Sequence, residues 1–205
     1  RGTLSKPVLA AIRQIARLLG KQVQVVEGGA ADGFVLPGSN PDVIYLNRNS
    51  SVNTVAVFLH EVFHNIAREQ PVAFAAVMRV LNPKLTPEKI EAFRRYYNDE
   101  QMAESKLLEE LASDLFAQIA TTDEAFWTDV FQEIEREVGP ERARGVAERL
   151  GAIIQRIIGQ MVRALRGPGF EGSAEIVGDL QGLRDVYVKA LAAYVSAKRD
   201  GTIQN

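Results

Sequence analysis

The chain holds two histidines in 205 residues, and they stand four apart with a glutamate after the first, as His60-Glu61-Val62-Phe63-His64. In a helix that spacing puts both imidazoles on one face, one turn apart, able to grip the same ion. Glu61 then lies about 100° round the helix from His60, where it can reach a water polarised by the metal rather than the metal itself. The expected chemistry is zinc-assisted hydrolysis, with Glu61 as general base. Val57, Phe58, Val62, Phe63 and Ile66 would pack the helix and keep the site dry. They would equally surround two structural histidines on an amphipathic helix, which is the competing reading.

Catalytic zinc takes three protein ligands and leaves a fourth position open. With no third histidine and no cysteine in the chain, the remaining ligand must be Asp, Glu or a partner molecule. A downstream helical stretch offers Glu109-Glu110-Leu111-Ala112-Ser113-Asp114. Glu110 and Asp114 share a helical face, so Glu110 can bind the metal while Asp114 orients a histidine from behind. Glu109 and Glu104 are the alternative third ligands. Leu107, Leu108, Leu111, Leu115 and Ile119 would bury this helix against its neighbours, which sets its carboxylates apart from the exposed helix formers of any surface helix.

His60-Glu61-x-x-His64 followed by Glu110-x-x-Ser113-Asp114 resembles the gluzincin metallopeptidases. The stretch from Gly33-Phe34 through Val43-Ile44-Tyr45-Leu46-Asn47 into the motif helix is similar to minigluzincins and ImmA/IrrE-type peptidases. It is also similar to peptidase domains embedded in phage and mobile-element polyproteins. The resemblance implies a zincin-like fold and an endopeptidase acting on protein or peptide. It implies zinc held by His60, His64 and Glu110, catalysis through Glu61, and support from Asp114. It covers roughly residues 20–120, and the interval from His64 to Glu110 holds two more helices than the compact relatives have.

The elements that must position these residues read as a small N-terminal sheet followed by many helices. Leu9, Ile12, Ile15, Ala16 and Leu19 recur at helical spacing in residues 5–19. Strands are expected at Gln22–Val26, residues 33–36 and residues 42–46, separated by Gly and Pro turns. Helices are expected from about Ser51 to Glu69, over Pro71–Leu81, from Thr86 to Tyr97, over residues 100–120, and from Thr122 as cap to Gly139. A long helix follows from Pro140 to Arg166, then a Gly-Pro-Gly break, then a last helix over residues 174–198. The fold class is therefore α+β, predominantly helical. We divide it into a metallopeptidase domain, 1–138, and a helical extension, 139–205, packed on the same domain.

Apolar residues make up 46% and charged residues 24%, ordinary for a globular chain. A net charge of −2 supplies no basic excess for phosphate, so nucleic acid is excluded as the main partner. No apolar run approaches the ~18 residues of a membrane span. Zero cysteines remove disulfides and thiolate sites together. The start, Arg1-Gly2-Thr3, carries no signal-peptide pattern, and we read the chain as a cytoplasmic domain excised from a longer protein.

Three further features have two readings each. The strand carrying Val43, Ile44 and Tyr45 is either an edge that pairs with extended substrate or an internal strand apolar on both faces. Tyr96, Tyr97, Tyr187 and Tyr194 are candidates to stabilise an oxyanion, or packing residues with satisfied hydroxyls. Arg142, Arg144, Arg149, Arg156, Arg163 and Arg166 line one face of the long helix, whose other face is apolar. A core-packed helix with a solvated basic face is preferred there over a membrane-surface helix. Against catalysis as a whole stands an inactive zincin-like domain serving binding or structure in a larger protein. Glu61 speaks against it, because a domain needing only the metal has no use for that base.

Overall fold

In a computed structural model of the chain, residues 9–10, 12–13, 16–17, 21–26, 43–47, 54–97, 104–165 and 174–199 are described. The strand expected at residues 33–36 lies outside them, as do the side chains of Ile44, Tyr45, Glu61, Tyr96 and Tyr97.

Two strands, β1 (Gln22–Val26) and β2 (Val43–Asn47), pair in parallel with Gln22 opposite Val43 and Val26 opposite Asn47. The second begins one residue later than expected. Among the described residues the sheet has these two strands only. Leu9, Ala10, Ile12, Arg13, Ala16 and Arg17 are helical, as their spacing requires, with Ile12 and Ala16 buried.

The rest is helix: α1 (Thr54–Glu69), α2 (Pro71–Leu81), a 3₁₀ turn (Asn82–Lys84), α3 (Pro87–Tyr97), α4 (Glu104–Ile119), α5 (Glu124–Val138), α6 (Pro140–Leu165) and α7 (Ala174–Arg199). Prolines set three of these starts at a first-turn position whose missing N–H has no intrahelical partner to lose. The cap of α5 is Asp123 rather than the expected Thr122. Asp123 Oδ1 accepts from Phe126 N at 3.0 Å, and a carboxylate at a helix N-terminus adds favourable charge that a hydroxyl lacks. Gly139 ends α5 at φ +79°, a conformation that L side chains rarely adopt, and Pro140 starts α6 at once.

Burial follows periodicity. Leu59, Val62, Phe63 and Ile66 form the buried stripe of α1, and each is worth roughly 1.5–3 kcal/mol of apolar burial. This stripe packs on α2 and α4. Next, α2 packs on α5, α5 on α6 and α7, and α6 on α7. An aromatic chain runs through these contacts, from Phe74 to Phe63, Phe116, Trp127 and Tyr187, with ring centroids 4.8–5.9 Å apart. Gly151 on α6 lies so close to Tyr187 that a Cβ there would sit 2.8 Å from the ring. One cluster of buried residues extends from Ile12 to Tyr194.

On α6, Val146, Leu150, Ile154, Ile157, Ile158 and Met161 are buried. Arg142, Arg144, Arg149, Arg156 and Arg163 are exposed, and Arg156 pairs with Glu69 at the end of α1. That is the arrangement of a core-packed helix with a solvated face. Among the described residues no helix is long and apolar enough to cross a membrane.

Candidate metal centre

The motif helix α1 packs on α4, and these two helices carry the candidate site residues. The apolar stripe of α1 fixes its rotation, which turns His60 and His64 toward α4 beside Phe63. Its ring lies edge-on to His64 at 5.7 Å. From α4, Leu107, Ala112 and Phe116 are buried in the same contact, and Glu110 goes in with them at 2% exposure. A carboxylate that far from water costs several kcal/mol unless charge partners or donors meet it.

What meets it is imidazole. His60 Nε2 lies 3.1 Å from Glu110 Oε2, and His64 Nε2 lies 3.9 Å from Glu110 Oε1. The two Nε2 atoms are 3.0 Å apart. The other ring nitrogens face outward onto separate carboxylates. His64 Nδ1 is 3.0 Å from Glu109 Oε1, and His60 Nδ1 is 3.6 Å from Asp114 Oδ1. Glu109 and Asp114 are about one third exposed, in contrast with Glu110.

This distribution has an electronic consequence. An imidazole that donates Nδ1–H to a carboxylate presents a lone pair at Nε2. With both rings in that tautomer, two nitrogen lone pairs and a buried carboxylate converge on one point. Such a point is favourable only around a cation, either a proton or a metal ion. Ligand atoms of His60, His64 and Glu110 all lie within 4.8 Å of one another. Tetrahedral ligation with Zn–N near 2.0–2.1 Å separates ligand atoms by roughly 3.3 Å. The observed separations of 3.0, 3.1 and 3.9 Å bracket that value, so these residues fit a small divalent cation.

The sequence placed His60, His64 and Glu110 together, and the structure groups the same three. Glu104, weighed as a third ligand, opens α4 as an exposed residue and is not in the group. Glu109, the other alternative, faces Nδ1 of His64, the nitrogen turned away from the convergence point. Its place beside His64 was missed in sequence reasoning, which treated it only as a substitute ligand. Ser113, between Glu110 and Asp114, is fully buried, and its Oγ has no hydrogen-bond partner among the described residues.

Glu61 belongs to α1, but its side chain lies outside the described residues. Val43, Ile44 and Tyr45 lie on β2, with Val43 half-buried. Two of the tyrosine candidates are engaged in packing. Tyr187 donates to Ala147 O at 2.6 Å between Trp127 and Phe131, and its burial pushes the phenol far above its ordinary range. Tyr194 donates to Glu135 Oε2 at 2.7 Å, and burial together with that carboxylate raises it too. No protein-family model, curated protein or solved structure matches the chain.

Proposed function

We propose that this chain is a zinc-dependent endopeptidase of gluzincin type, with His60, His64 and Glu110 as metal ligands and Glu61 as general base. The observation that supports it is the convergence of two imidazole Nε2 atoms and one buried carboxylate from two different helices. Zinc, when bound, supplies Lewis acidity, which polarises a peptide carbonyl and makes water a usable nucleophile near neutral pH.

The protein's own residues do the remainder. Glu61 follows His60 on α1, one 100° step round the helix, and takes the proton of the attacking water before delivering it to the leaving amine. Leu59, Val62 and Phe63, all buried, close the side behind the histidines to solvent, which strengthens each electrostatic contact there. Glu110 offsets the charge of the cation from a position that water does not reach. β2, which carries Val43, Ile44 and Tyr45, would act as the edge strand that pairs its backbone with an extended peptide.

The experiment is Glu61→Gln, assayed on a mixed fluorogenic peptide library beside a zinc determination. Turnover should fall about 10²–10⁴-fold, with zinc content and thermal unfolding unchanged. Undiminished turnover in the variant would refute Glu61 as the base. Zinc retained with no hydrolysis by either protein would leave a metal-binding domain without catalysis.

A further inference from the structure

The contact between His64 and Glu109 has a meaning separate from ligation. The two residues lie on different helices, and Glu109 immediately precedes Glu110 in α4. One turn of α4 therefore addresses both nitrogens of the same ring: Glu109 stands 3.0 Å from Nδ1, and Glu110 faces Nε2. The ring plane is held further by the edge-on Phe63. At His60 the corresponding separation, from Nδ1 to Asp114 Oδ1, is longer, at 3.6 Å.

We propose that Glu109 is the positioning residue of His64, accepting its Nδ1–H and so fixing the tautomer that aims the Nε2 lone pair at the metal point. The role rests on the metal-site reading above and deepens it. A neutral imidazole in water divides between two tautomers, and only one presents Nε2 as a donor of electrons. A carboxylate acceptor selects that one and raises the basicity of the ligating nitrogen. Because Glu109 is one third exposed, part of its charge is screened, and the larger share of its effect is directional.

The test uses the full chain in metal-free form. With only two histidines present, single substitutions assign both imidazoles in a ¹⁵N spectrum taken well above the ordinary imidazole range. His64 should be the Nδ1–H tautomer in the wild type and a mixture in Glu109→Ala. Chelator competition should show zinc bound about 10–100-fold more weakly by Glu109→Ala. Glu109→Gln, which keeps an acceptor oxygen, should restore the tautomer and most of the affinity. A merely structural glutamate would leave the tautomer unmoved. An Nε2–H tautomer of His64 in the wild type overturns the proposal even if the alanine variant fails to fold, and so does an unchanged tautomer in that variant. Absence of zinc binding by the wild type would refute the metal reading instead, and the spectrum tells the two failures apart.

Discussion

Two of the polar clusters among the described residues, one between α5 and α7 and one between α1 and α4, are built on opposite terms. Between α5 and α7, Glu135 accepts from the Tyr194 hydroxyl at 2.7 Å on one oxygen and pairs with the Lys198 ammonium on the other. Donors match acceptors, and the charges cancel. Between α1 and α4, two imidazole Nε2 atoms of His60 and His64 and the Glu110 carboxylate come together, the atom types that hold a metal ion. The first cluster is satisfied by the protein alone. The second brings together three side chains whose atoms could hold a metal ion. Partial burial of charge is common to both, so burial by itself does not mark a site. What separates them is the kind of atoms brought together, donor with acceptor in the first and candidate metal ligands in the second.

Removing the carboxylate from each cluster should therefore have opposite consequences. Glu110→Gln should weaken zinc binding by more than the ~100-fold that bounds losses of outer partners. Its amide can donate to an imidazole lone pair, so the metal-free variant should unfold at the same or a higher temperature. Chelator competition and calorimetry on one preparation read both arms. A variant that keeps its zinc, or loses substantial stability without it, would make the two clusters alike.

Glu135→Ala should do the reverse. It removes a charge-assisted pair that is about one fifth exposed, and should cost about 1–2 kcal/mol with zinc affinity unchanged. For a chain of this size that lowers the unfolding midpoint by roughly 2–8 °C. A smaller effect follows with pH. Burial alone would raise the Glu135 carboxyl, but the hydrogen bonds from Lys198 and Tyr194 and the lysine charge outweigh it and hold the folded value below 4.5. A depressed folded value gives stability that is fully present above about 4.5 and is lost as the pH falls through the folded value. The gap in midpoint between wild type and Glu135→Ala should shrink in that acid range. A gap that stays constant would detach Glu135 from its partners.

Much of the helical scaffold is legible because its punctuation is chemical. Pro71, Pro87, Pro140 and Gly139 mark boundaries that the structure keeps within a residue, since proline and a positive-φ glycine have few other places to go. The α5 cap was misplaced by one residue because Thr122 and Asp123 both qualify locally, and only the backbone around Phe126 decides between them. Spacing and the flanking apolar residues offered Glu110 for this group with Glu109 and Glu104 as alternatives, and the helix crossing brings Glu110 to both histidines. The ring nitrogen that each carboxylate faces was not legible. That depends on how α1 and α4 cross, a tertiary quantity with no periodic trace in either helix. Glu109 shows the limit, because as a residue type it resembles any exposed helix former. Tyr187 and Tyr194 show it from the other side, since their hydroxyls went to Ala147 and Glu135 through contacts spanning 40 and 59 positions.

The central claim is that a metal ion completes the cluster between α1 and α4. Elemental analysis of protein purified without added metal, beside His64→Ala, tests it most directly. The account predicts about one zinc per chain in the wild type and none in the variant. No zinc in either protein, even after incubation with zinc at neutral pH, would contradict it and leave His60 and His64 as structural residues of a helical domain.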